Sequence, residues 1–253
     1  MNKFFKRITA VFLAVSTTAA SILMPATGIY AAETAATTQN TQAAQTTQNS
    51  QNTQTTKNPQ EYDWPQAPDI VAQSAILIDA DTGAILYEKN AHAKGYPAST
   101  TKILTGLLTI ENCGLDETVT FSSAAANSVT YEDASLGTKA GEQYSVEQAL
   151  YGLLLYSANE IAYGLAEHVS GSLAAFTELM NKRAKELGAI NTHFANASGL
   201  HDVNHYTTAY DMAMIAKGCY NNSTFVNIDS TSTTYTIPPT NKTDTARNFK
   251  HRH

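Results

Sequence analysis

A chain of 253 residues has room for one medium domain or two small ones, and 43% hydrophobic content permits a sizeable core. A formal charge of −6, with 16 Lys and Arg spread thinly against 22 Asp and Glu, excludes a nucleic-acid partner that would need a basic face. Composition therefore points to an acidic globular domain and leaves its chemistry open.

The chain begins with Lys3, Lys6 and Arg7, followed by an apolar stretch over residues 8–24 and a small-residue cleavage site at Ile29-Tyr30-Ala31. That order reads as a secretory signal peptide over residues 1–31, so an extracytoplasmic protein is expected. An uncleaved anchor is the competing reading, disfavoured because the apolar stretch is short and broken by Thr and Ser. With only Cys113 and Cys219, an exported chain is no disulfide scaffold. Both are expected as buried free thiols, and neither has the spacing of a metal or redox motif. Residues 32–60 are nearly all Ala, Thr, Gln and Asn, too poor in apolar side chains to offset ordering entropy, and are expected to form a disordered tether. A folded domain is expected over residues 61–253.

Residues 74–89 read as a hairpin, Ala75-Ile76-Leu77-Ile78 and Ala84-Ile85-Leu86-Tyr87 flanking the turn sequence Asp81-Thr82-Gly83. After Pro97, Ile103, Leu104, Leu107 and Leu108 mark a helix over residues 99–112. Ser145 with Gln148 forms a capping box for a helix carrying Leu150, Leu153 and Leu154. Further helices are expected over residues 160–168, ending near Gly171, and over residues 172–188 with Phe176, Leu179 and Met180 inward. Thr208 with Asp211 caps another through Met212, Met214 and Ile215. Residues 233–237 alternate like a strand. The succession suggests an α+β fold, an antiparallel sheet with a helical insertion.

The chemistry centres on Pro97-Ala98-Ser99-Thr100-Thr101-Lys102. Ser99 and Lys102 are three apart, hence on one helical face, and an N-terminal position places the helix dipole behind a developing alkoxide. A serine needs a base within hydrogen-bond reach, and a lysine is one only when neutral. Holding an ordinary lysine neutral at pH 7 requires about 4–5 kcal/mol, which only a desolvated cleft supplies. Alone, Ser-x-x-Lys is too common to carry weight, the plain alternative being a capped helix with an exposed lysine. Ser157-Ala158-Asn159 between two helical stretches makes the pair specific, because its serine can relay protons and its amide can hold a carbonyl.

These motifs resemble the serine D-alanyl-D-alanine carboxypeptidases among the penicillin-binding proteins. The resemblance extends through Ala75-Ile76-Leu77-Ile78-Asp79-Ala80-Asp81-Thr82-Gly83, Asn196-Ala197-Ser198-Gly199-Leu200 and the stretch from His205 to Ala213. It implies a β-lactamase/transpeptidase-like fold, with residues 61–253 as the catalytic domain. It also implies Ser99 as nucleophile, Lys102 as general base, Ser157 as proton shuttle and Asn159 as the group orienting substrate. No cofactor or metal is implied. The implied partners are peptidoglycan stem peptides and β-lactam antibiotics, with association at the membrane periphery or cell wall.

The family's Lys-Thr-Gly is the departure. The nearest string, Lys242-Thr243-Asp244, has Asp for Gly and follows the strand at residues 233–237. The motif and its strand are expected beyond His253, so the domain is expected to be incomplete, lacking C-terminal strands, an oxyanion-hole amide and the cation that helps keep Lys102 neutral. Two other readings stand: a class A-type β-lactamase of the same fold, for which no convincing loop glutamate is found, and a non-catalytic peptidoglycan-binding relic. His201 and His205 with Asp202 superficially suit a metal but lack a further ligand. Asn196-Ala197-Ser198 matches a glycosylation acceptor and is read as incidental.

Overall fold

The structure, a computed structural model, describes residues 67–130 and 132–251. The expected signal peptide (1–31) and tether (32–60), and the first residues of the expected domain (61–66), lie outside the described residues.

Strands β1 (Ala75–Ile78) and β2 (Ile85–Lys89) pair antiparallel, Ala75 opposite Lys89, with a register shift after Leu77. Their connection is tied by Asp79, whose carboxylate accepts from the Thr82 N–H at 2.7 Å and hydroxyl at 2.6 Å. One face of β1 buries Ile76 and Ile78 with Ala209 and Ala213, whereas Ile85 and Leu86 of β2 are 46% and 48% exposed.

A 3-10 turn (Ala98–Thr101) leads into α1 (Lys102–Asn112), around which five later helices gather. The chain continues through β3 (Thr118–Thr120), α2 (Ser123–Ala126) and β4 (Gln143–Ser145), with Val119 opposite Tyr144. Next come α3 (Val146–Leu154), α4 (Asn159–Ser170) and α5 (Leu173–Glu186). Helices α6 (Ala209–Tyr220) and α7 (Ser223–Asp229) precede β5 (Tyr235–Ile237) and β6 (Arg247–Phe249).

Local chemistry explains most helix starts. The Ser145 hydroxyl accepts from the Gln148 N–H while the Gln148 side chain accepts from the Ser145 N–H, completing the expected capping box. Ser172, Thr208 and Asn222 cap α5, α6 and α7 in the same way. The apolar stripes then meet: α1 packs on α3, α4, α5, α6 and α7, burying Leu104, Leu107 and Leu108 with Leu150, Leu153, Ile161, Leu165, Phe176 and Met212. Each such side chain contributes roughly 1.5–3 kcal/mol of hydrophobic stabilisation.

The strands are antiparallel, as the expected α+β class requires. Among the described residues they form three two-stranded sheets, β5 pairing with β6. Side chains hold the β5–β6 pair on the helical side. The Tyr235 ring stacks on Tyr151 of α3 with centroids 3.7 Å apart, and Arg247 forks onto the fully buried Glu142 at 2.8 and 3.1 Å. Both thiols are free, but only Cys219 is buried; Cys113, at the end of α1, is partly open, correcting the expectation for that residue. No helix among the described residues is long and apolar enough to cross a membrane.

Candidate active site

Ser99 sits in the 3-10 turn ahead of α1, tighter than the helix start expected from the sequence. Thr100 stabilises the turn by donating its N–H (3.3 Å) and hydroxyl (2.6 Å) to the Pro97 carbonyl. Ala98 is left-handed at φ 51°, a conformation costing roughly 1–2 kcal/mol for a residue with a side chain. The segment around Gly199 presses on this turn. A Cβ on Gly199 would stand 1.8 Å from the Ala98 carbonyl oxygen, and Gly199 is itself at φ 89°, so no other residue fits without displacing the Ser99 turn.

Lys102, one turn on, is only 2% exposed. Its Nζ lies 3.2 Å from the Ser99 Oγ and 2.6 Å from the Ser198 carbonyl oxygen. Burial lowers its pKa from 10.5 to about 7, against the opposing charges of Asp133 and Glu160. At pH 7 the amine is therefore neutral about half the time and can accept the proton of the adjacent hydroxyl.

The Ser198 carbonyl is aimed by its own loop. Asn196 Oδ1 accepts from the N–H groups of Ser198 (3.1 Å) and Gly199 (2.7 Å), and its Nδ2 donates to the Leu200 carbonyl at 2.8 Å. Thr105 donates its hydroxyl to the neighbouring Ala197 carbonyl at 2.7 Å, so two successive carbonyls are fixed onto α1. With the Asn196 amide committed inside this loop and the residue 8% exposed, it is a poor glycan acceptor, as expected from the sequence.

His205 carries a role that sequence reasoning missed. It is 2% exposed, and the Ala195 N–H donates to its Nδ1 at 3.1 Å. The proton therefore resides on Nε2, which donates to Thr101 Oγ1 at 2.8 Å. Burial pushes its pKa down to about 4, with a partly opposing charge from Asp202, so the ring is neutral and ties the loop to the Ser99 turn. The only sequence signal was its membership of the His205–Ala213 stretch. His201 instead packs edge-on against Tyr96, and with both His205 nitrogens engaged the two histidines form no metal site.

Ser157 and Asn159 meet at the α3–α4 corner. Ser157 is left-handed at φ 64° and half-buried, its N–H donating to the Leu153 carbonyl at 3.1 Å. Such strain concentrates where surrounding structure over-determines a functional turn. Asn159 is buried at the first position of α4, its N–H donating to the Ala134 carbonyl at 2.8 Å. Glu160 beside it is buried, and its Oε1 accepts from the Leu136 N–H (2.7 Å) and the Thr138 hydroxyl (3.2 Å), so it serves to hold the segment at residues 134–138. Among the described residues no hydrogen bond links the Ser157 or Asn159 side chain to Ser99 or Lys102. The Glu160 charge, next to Asn159, opposes the lowering of the Lys102 pKa by burial. Lys242-Thr243-Asp244 falls in the β5–β6 connection, with the Lys242 side chain over Gly141.

Residues 59–249 match the profile of the D-alanyl-D-alanine carboxypeptidases, peptidase family S11. The chain is 41% identical over 151 residues to the D-alanyl-D-alanine carboxypeptidase DacF of Bacillus subtilis, covering 58% of this chain and 38% of that protein. Several of the curated relatives are matched over about two-fifths of their length. Among solved structures, a D-alanyl-D-alanine carboxypeptidase from Mycobacterium tuberculosis superposes with TM-score 0.67 at 29% identity, covering 75% of this chain and 69% of that one. Penicillin binding protein 5 from Haemophilus influenzae gives TM-score 0.66 at 30% identity, covering 75% and 54%. By the matched profile, the shared fold and the Ser99–Lys102 pair, the chain belongs to the D-alanyl-D-alanine carboxypeptidase family, peptidase S11.

Proposed function

We propose that the protein is an exported serine carboxypeptidase that removes the terminal D-Ala from peptidoglycan stem peptides and is acylated by β-lactams. The observation that carries this reading is the 3.2 Å approach of Lys102 Nζ to Ser99 Oγ, with the amine titrating near 7. Ser99 Oγ attacks the carbonyl of the penultimate D-Ala while its proton passes to neutral Lys102. Collapse of the tetrahedral intermediate breaks the peptide bond, and the departing D-Ala amine takes a proton relayed through the Ser157 hydroxyl. Asn159 orients the substrate through its side-chain amide. Water then attacks the ester, releasing the shortened peptide and restoring the Ser99 hydroxyl. The relatives' names and the export signal read from residues 1–31 support placing this activity in the cell envelope.

Labelling of the purified chain with a fluorescent penicillin tests the reading. A covalent label that is absent in Ser99→Ala and persists for hours supports the carboxypeptidase. Release of the label within seconds would favour a β-lactamase instead. An unlabelled chain that still binds muropeptides would reduce the protein to a non-catalytic binder.

A further inference from the structure

A second cluster of reactive side chains lies away from Ser99, at the far end of α1. Cys113 terminates α1, Glu117 precedes β3, and His168 lies in the last turn of α4. One ligand atom from each, the thiol sulfur, a carboxylate oxygen and an imidazole nitrogen, all fall within 4.8 Å of one another. We propose that Cys113, Glu117 and His168 form a site for a thiophilic divalent cation of the Zn2+ class, distinct from the serine centre.

Three features favour this set. First, thiolate, imidazole and carboxylate are the donor types Zn2+ prefers, and in a tetrahedral site they stand about 3.5 Å apart, within reach of small side-chain rotations from the observed positions. His168 Nε2 and Glu117 Oε2 are already 3.1 Å apart. A cation between them replaces the shared proton with a stronger bridge.

Second, the three residues hang on a rigid frame. Helix α4 packs on both α1 and β3. Glu117 is oriented by the Gly114 N–H, which donates to its Oε1 at 2.6 Å, while its backbone carbonyl accepts from the Val146 N–H at 2.9 Å. A backbone donor on the non-ligating oxygen is the outer contact that fixes a metal-binding carboxylate.

Third, the cluster can exchange its protons and reach solvent. Binding a divalent ion displaces the Cys113 thiol proton to solvent. Three protein ligands leave a fourth position for water, and the cluster is open to it: the His168 side chain is 21% and the Glu117 side chain 49% exposed.

Titration of the full chain, reduced and metal-free, with Co2+ and then Zn2+ tests the proposal. One Co2+ per chain should produce a thiolate-to-metal charge-transfer band, and Zn2+ should bleach it. Cys113→Ser should abolish the band, and His168→Ala should weaken Zn2+ binding by about tenfold or more. Circular dichroism on each variant checks that it is folded; Glu117→Gln keeps the side-chain shape and should weaken Zn2+ comparably if a variant at Cys113 or His168 fails to fold. No charge-transfer band in the wild-type chain would overturn the site, as would Zn2+ affinity unchanged in Cys113→Ser.

Discussion

Burying the Lys102 amine beside the Ser198 carbonyl costs stability. Its pKa is about 7 in the folded chain and 10.5 in the reference state, so the unfolded chain holds more protons between those values. Stability therefore rises with pH from about 7 to 10.5, and the full cost is present below pH 7. Lys102→Met should raise stability at pH 7 by about 3–5 kcal/mol, read by urea denaturation, while abolishing penicillin acylation. His205 works in the same direction at lower pH. With its pKa near 4 when folded and 6.5 as reference, stability should fall as pH drops from about 6.5 to 4 and level off below. His205→Ala leaves the Thr101 hydroxyl and the Ala195 N–H without their partner, an expected loss of about 1–3 kcal/mol at pH 7. The same variant should show a flatter stability profile between pH 4 and 6.5, and an unchanged profile would show that another group titrates there.

At the scale of elements, a buried ion pair joins the Tyr235–Tyr151 stack in holding the β5–β6 pair. Burial alone would raise the Glu142 pKa, but hydrogen bonds from Arg247, the Thr240 hydroxyl and the Lys139 N–H hold its carboxyl below the usual range. Arg247→Met leaves that carboxylate uncompensated and should cost about 3–5 kcal/mol, most of it recovered by adding Glu142→Gln. Denaturant midpoints of the single and double variants check this coupling. The contact of α4 with the Phe121 ring is equally tight, a Cβ on Gly164 falling 2.2 Å from it. Gly164→Ala should therefore destabilise by about 1–3 kcal/mol through overpacking, although alanine is the better helix former. A stabilised Gly164→Ala chain would mean that α4 and the Phe121 segment separate easily.

Across the whole molecule, the sequence exposed elements whose signals are local and concealed those set by distant partners. The capping pairs Ser145–Gln148 and Thr208–Asp211 marked helix starts correctly because the hydrogen bonds that start a helix lie within three residues. Strands β3, β4 and β6, of three residues each, have no periodicity long enough to read, and their positions depend on side chains far along the chain. The strand expected at residues 233–237 is present as β5, but its pairing with β6 and its place against Tyr151 and Glu142 are set by side chains far along the chain. At the site, the approach of the Lys102 amine to the Ser99 hydroxyl follows from their three-residue spacing. The positions of the Ser198 carbonyl and the His205 ring do not, since they reach α1 across 96 residues and the Ser99 turn across 104.

The central claim is that neutral Lys102 activates Ser99, and the pH dependence of β-lactam acylation, followed by intact mass, tests it most directly. The rate should rise with pH through a midpoint near 7, set by the Lys102 amine, with the adduct mapping to Ser99 and absent from Lys102→Met. A rate that does not change between pH 6 and 8, or an adduct that forms at full rate in Lys102→Met, would contradict it.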